Sequence, residues 1–134
     1  MLAILPLVFL AVQSAWGAEI VVEVRGAFPP GQVRLALYGS PESFLRKPVA
    51  TGHANLTDGV AVLSFSDLSP GRYAFSAYLD LNGNGKLDTN SMGIPIEPLA
   101  FSRNARGRMG PPAFEDAAFA LEPSGAKIAL ELRK

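Results

Sequence analysis

The sequence predicts an all-β fold: a single antiparallel β-sandwich of about seven strands with Greek-key connections and one long ordered loop. Three observations point there. Apolar residues alternate with polar ones in short runs, the period-2 signature of strands with one buried face. Turn signals rich in glycine, proline, aspartate and asparagine separate these runs. Only one stretch, residues 40–45, reads as helical.

Residues 1–17 hold an apolar run over 2–12 and no charged side chain. The run is too short to span a bilayer in ordinary geometry and reads as a secretory signal. Ala15 and Gly17 stand at minus three and minus one if cleavage falls before Ala18, so a mature chain starting there and a domain over 18–134 are expected. An uncleaved anchor is the alternative. No cysteine follows the run, which speaks against a lipoprotein anchor.

Ile20, Val22 and Val24 then alternate with Val21, Glu23 and Arg25 as a first strand, and residues 26–31 turn. In the second strand Val33, Leu35 and Leu37 share a face until Gly39. Ser40 reads as an N-cap with Pro41 at the first position of a helical turn that Pro48 ends. Residues 49–56 and 60–65 are strands joined by Asp58-Gly59, a hairpin signal. A turn over 67–71, with Pro70 and Gly71 at its centre, leads into a strand over 72–79 with Tyr73, Phe75, Ala77 and Leu79 on one face. Residues 83–112 show no periodicity, and a connection of that length is usually functional or disordered. Met92, Ile94, Ile96, Leu99, Phe101 and Phe114 favour an ordered loop by supplying apolar anchors. Strands over 117–121 and 127–133 close the domain.

Composition narrows the function. Twelve basic and twelve acidic residues in 134 leave no net charge, hence no global field to draw in nucleic acid or an anionic membrane. With no cysteine, an exported chain is held by packing and by whatever ion it binds. Transmembrane insertion is not expected once the signal is removed.

The strand over 72–79 delivers Asp80 into Asp80-Leu81-Asn82-Gly83-Asn84-Gly85-Lys86-Leu87-Asp88. Asp80, Asn82 and Asn84 take the first, third and fifth positions of an EF-hand-type calcium loop, Gly85 the sixth-position turn, Lys86 a carbonyl and Asp88 the ninth position. The twelfth position is Ser91, so no bidentate carboxylate closes the loop and binding should be weak. Glu97, Glu115 or Asp116 could complete it from a distance. The competing reading is a metal-free glycine-rich turn built from Asx-turns.

These residues, followed by Gly93-Ile94-Pro95 and by Phe101-Ser102-Arg103-Asn104-Ala105-Arg106-Gly107-Arg108-Met109-Gly110-Pro111-Pro112-Ala113-Phe114, resemble an uncharacterised family of secreted bacterial proteins with a domain of unknown function. The resemblance covers essentially the whole mature chain. It implies a periplasmic or extracellular β-sandwich and carries no established activity. Ser69-Pro70-Gly71-Arg72-Tyr73 entering a strand also looks like prealbumin-like and collagen-binding-protein B-type domains. Transthyretin-like hydrolases of that fold use several histidines and a C-terminal Tyr-Arg-Gly-Ser, whereas this chain has one histidine and ends Glu131-Leu132-Arg133-Lys134.

Arg103, Arg106 and Arg108 fall in the same long loop. They either pair with Asp80, Asp88, Glu97, Glu115 or Asp116, the preferred reading, or fork onto a small acidic ligand. His53 stands without a second histidine or cysteine, which removes zinc and thiol chemistry. Ser102 lacks a nearby base. Phe101, Met109, Pro111, Pro112 and Phe114 are either an exposed patch for a protein partner or the apolar underside of the loop. The expected function is an exported, non-catalytic binding or structural module with a weak calcium-stabilised loop and an unknown protein or small-ligand partner. The alternative is a small hydrolase, of esterase or glycosidase type, using carboxylates and arginines of that loop.

Overall fold

The structure, a computed structural model, describes residues 17–134. The signal expected over 1–17 therefore lies, apart from Gly17, outside the described residues. Two sheets face each other. The first has three strands in the order β4, β1, β8, and the second has five, with order β3, β2, β5, β6 and with β7 also on β5. The strands are β1 (Ala18–Arg25), β2 (Gly31–Tyr38), β3 (Ala50–Leu56), β4 (Val60–Leu68), β5 (Gly71–Asp80), β6 (Leu99–Phe101), β7 (Phe119–Leu121) and β8 (Ala126–Glu131). The all-β sandwich thus stands, with eight strands, and one pair runs parallel: β1 with β8. A last strand reaching the free edge of β1 from β7, in the other sheet, arrives in that direction.

Alternation puts Ile20, Val22 and Val24 of β1 and Val33, Leu35 and Leu37 of β2 between the sheets with Phe75, Ala77 and Leu79 of β5. Asp58 and Gly59, with φ of 53° and 79°, form the expected tight turn. It does not close a paired hairpin, because β3 and β4 belong to different sheets beyond the single Thr57–Val60 bridge. The turn is a corner of the sandwich. Residues 41–46 form hydrogen-bonded turns that do not extend into a helix. The Ser43 amide does donate to Ser40 Oγ at 3.2 Å, but Leu45 adopts φ 61° and stops propagation.

The outer face of the five-stranded sheet positions everything that follows. Tyr38 and Ala74 are opposite one another in the β2–β5 register, six residues along β5 from Asp80. At about 3.3 Å per residue the two ends of this face stand roughly 20 Å apart. The loop after Asp80 covers one end. A second apolar cluster covers the other, made by Ala74, Phe44, Phe101, Ala105, Ala117, Ala118 and Phe114, the last on the short helical turn α1 (Phe114–Ala117). The long irregular stretch expected over 83–112 is accordingly divided: β6 pairs with β5 in its middle and separates an 81–98 loop from a 102–113 loop. Three residues are too few to show a period, so their pairing was invisible in sequence.

Candidate functional site

Asp80 is the last residue of β5 and points outward, yet its side chain is fully buried because the loop folds back over it. Its Oδ1 accepts the Gly83 amide at 3.0 Å and its Oδ2 the Gly85 amide at 2.7 Å. Both glycines hold left-handed backbone, φ 73° and 75°, which is what brings their N–H groups back to the strand end. Arg34 adjoins from β2, diagonal to Asp80 in the register. Its Nε lies 3.5 Å from Asp80 Oδ2, close enough to pair by charge, while among the described residues that N–H finds no hydrogen-bond acceptor. The contact is Coulombic.

Asp88 faces the carboxamides of Asn82 and Asn84. Asn82 Nδ2 donates to its Oδ2, and Asn84 Nδ2 to its Oδ1 at 2.7 Å. The two Oδ1 atoms accept the next amides but one, Asn84 at 3.2 Å and Lys86 at 3.0 Å, giving successive Asx-turns. The structure therefore brings Asp80, Asn82, Asn84, Lys86 and Asp88 into one turn. Among the described residues no three Asp, Glu or His side chains converge as a ligand set. An ion held here would draw on amide and carbonyl oxygens and would require both carboxamides to turn from their present contacts with Asp88.

Glu97 completes the loop in a way the sequence concealed. It is buried, and both its oxygens are taken up by backbone amides. Its Oε2 accepts the Leu81 amide and its Oε1 the Asp88 amide, both at 3.0 Å, so one carboxylate ties the two ends of the turn together. Pro98, also buried, accepts the Leu79 amide through its carbonyl at 3.0 Å. Beyond Asp88 a small hairpin forms around Asn90, whose Oδ1 accepts the Met92 and Ile94 amides at 2.9 and 3.0 Å. Met92, Ile94 and Ile96, expected as apolar anchors, are exposed instead. The anchors are Glu97 and Pro98. A shallow depression of about 690 Å³ adjoins the loop, lined by Gln32, Asn55, Thr57, Asp80 and Asn82 among others.

Arg103, Arg106 and Arg108 lie beyond β6, towards the opposite end of β5, and are exposed. Among the described residues they make none of the carboxylate pairs expected of them. Asp80 pairs with Arg34, its diagonal neighbour across β2 and β5, and Glu115 of α1 with Arg72 of β5 at 2.7 Å. Arg103 reaches only the Ala118 carbonyl, at 3.4 Å. A combined carboxylate and arginine site is consequently not assembled. His53 is exposed on β3, opposite Arg34 in register. Ser102 is buried, accepts the Phe75 amide at 2.9 Å and donates to the Ala117 carbonyl at 2.6 Å, a backbone tie rather than a nucleophile. Phe114 and Pro112 are buried, and Met109 is fully exposed. The pairs and clamps formed by Arg34, Glu97 and Ser102 depend on long-range pairing, and only the polar residues themselves were visible beforehand.

Residues 22–129 match the family described as "Uncharacterized protein conserved in bacteria (DUF2141)". Neither a curated protein nor a solved structure matches the chain.

Proposed function

For a chain that belongs to this conserved bacterial family, we propose the role of an exported, non-catalytic binding or structural module, working in the periplasm or outside the cell, whose 80–88 loop is stabilised by calcium. One observation carries the non-catalytic reading. The two buried carboxylates, Asp80 and Glu97, are both engaged by pairs of backbone amides, an arrangement that holds a loop in shape and leaves neither group facing a substrate. The likeness to prealbumin-like sandwiches belongs to this proposal as an analogy of fold alone.

Calcium is the cation whose flexible, oxygen-only coordination suits Asp80, Asn82, Asn84, the Lys86 carbonyl and Asp88. Two formal negative charges, a neighbouring Arg34 and the need to turn two carboxamides all weaken the site. A Kd of roughly 10⁻⁴ to 10⁻³ M is expected, in the range of extracellular modules. At about 10 mM calcium, occupancy of the folded state would contribute on the order of 1.4 to 2.7 kcal/mol. The melting temperature should then rise by roughly 4 to 12 °C, with a smaller effect of magnesium and none in Asp88→Ala. Coincident melting curves in EDTA and calcium would remove the ion from the reading. Screening the same preparation against ester, glycoside and peptide substrates tests the other half, and turnover abolished by Asp88→Ala would replace the module with an enzyme.

A further inference from the structure

The arginines of the 102–113 loop meet bases from two other segments around the second aromatic cluster. Phe44, from the 39–49 connection, packs edge-on against Phe101 and Phe114 with ring centroids 6.4 and 5.8 Å apart. Arg72 of β5 lies over the Phe114 ring at 5.8 Å. Flanking these anchors are Arg46, Lys47, Arg103, Arg106 and Arg108, all exposed. Among the described residues none of the five has a carboxylate within 4.0 Å. Over residues 40–49, 72 and 103–118 six bases stand against three acids, Glu42, Glu115 and Asp116, and Glu115 is already paired with Arg72. At the margin Glu131, whose amide donates to Asn104, and Arg133, bridged to Leu99, offset one another. The neutral chain therefore carries a local surplus of three positive charges on this face.

Apolar side chains stand among these bases. Leu45, Val49 and Met109 are exposed, Met109 fully. Arg108 and Met109 form the tip of a turn closed so tightly that a Cβ on Gly107 would collide with the Gly110 carbonyl. Met109 holds φ 57°, a left-handed conformation that costs a non-glycine residue energy. A soluble polyanion would use the guanidinium groups and leave these apolar groups bare. A lipid surface uses both, phosphates for the bases and the interfacial hydrocarbon for the apolar tips.

We propose that this face docks the domain reversibly on an anionic phospholipid surface, with Arg46, Lys47, Arg103, Arg106 and Arg108 over lipid phosphates and Met109 entering the headgroup region. It is separate from the calcium loop and independent of it. The test is sedimentation of the purified protein with vesicles of phosphatidylcholine alone and with vesicles of phosphatidylcholine and phosphatidylglycerol in equal parts. Binding is expected with the mixed vesicles only and should be lost in high salt. Arg106→Ala and Arg108→Ala should each weaken it about fivefold. Met109→Ser should weaken it while leaving the salt dependence unchanged. All three variants should melt with the parent, since among the described residues none of these side chains has a hydrogen-bond or ion-pair partner to lose. Equal partition onto both vesicles, binding to neither, or arginine variants that match the parent would overturn the proposal. Concentration-dependent self-association that the arginine substitutions abolish, without vesicle binding, would assign the face to a second copy of the chain instead.

Discussion

Ser102 is fully buried, and its hydroxyl serves the Phe75 amide and the Ala117 carbonyl together. Ser102→Ala leaves a donor and an acceptor unmatched away from water, so a loss of about 1–3 kcal/mol is expected in denaturant unfolding. An unchanged unfolding midpoint would mean that water enters to replace the hydroxyl. Tyr73 gives a pH dependence. Its hydroxyl donates to the Ser69 carbonyl at 2.6 Å, and burial pushes its phenol above the ordinary value. The folded state thus favours the neutral phenol. That contribution is present in full below the unfolded pKa of about 10 and is lost as pH rises from there through the folded pKa. Tyr78 is raised chiefly by burial as well, with Arg34 opposing. The melting temperature should therefore fall above about pH 10, and Tyr73→Phe should flatten that fall while lowering the neutral-pH value through the lost hydrogen bond.

The 81–98 loop stands as an element of its own because Glu97 closes it. Glu97→Gln keeps the shape of the side chain but offers one acceptor where the Leu81 and Asp88 amides need two. A loss of about 1.5–3 kcal/mol is expected, as for a hydrogen bond to a charged group, together with earlier protease cleavage between residues 81 and 96. Cleavage confined to 103–112 would show that the clamp is dispensable. The same element marks how far the sequence could be read. β1, β2 and β5 were legible because each alternates for six residues or more over one core, and Asp80 at the end of β5 with glycines beyond it signalled a tight turn. Glu97 was visible only as a distant candidate ligand, since nothing local distinguishes a carboxylate that binds an ion from one that clamps two amides. β6 was lost inside the irregular stretch, and with it the separation of Arg103, Arg106 and Arg108 from Asp80 and Asp88. In the alternation of β2, Arg34 falls on the face opposite Val33, Leu35 and Leu37, and nothing more about it is local. Its meeting with Asp80 follows from the register Gln32 opposite Asp80, which is a tertiary fact.

At the scale of the whole molecule, zero net charge conceals an uneven distribution, because folding gathers segments 40–49 and 103–118 on one face and leaves the acidic excess elsewhere. The same topology bears on export. β1 lies in the middle of the three-stranded sheet, paired with β4 on one side from Ala18 and with β8 on the other from Ile20. Ala18 is buried at 3% exposure, and the turn after β7 closes in on its neighbour: a Cβ on Gly125 would stand 2.8 Å from the Glu19 carbonyl oxygen. Gly17, the residue before Ala18, is exposed, so cleavage before Ala18 leaves β1 and its pairing intact. Ala15 and Gly17 are the small residues that signal cleavage requires at that point. Intact-mass analysis of protein released from the periplasm should accordingly give a single species starting at Ala18. Material retained in the membrane fraction with Met1 present would instead make residues 2–12 an anchor.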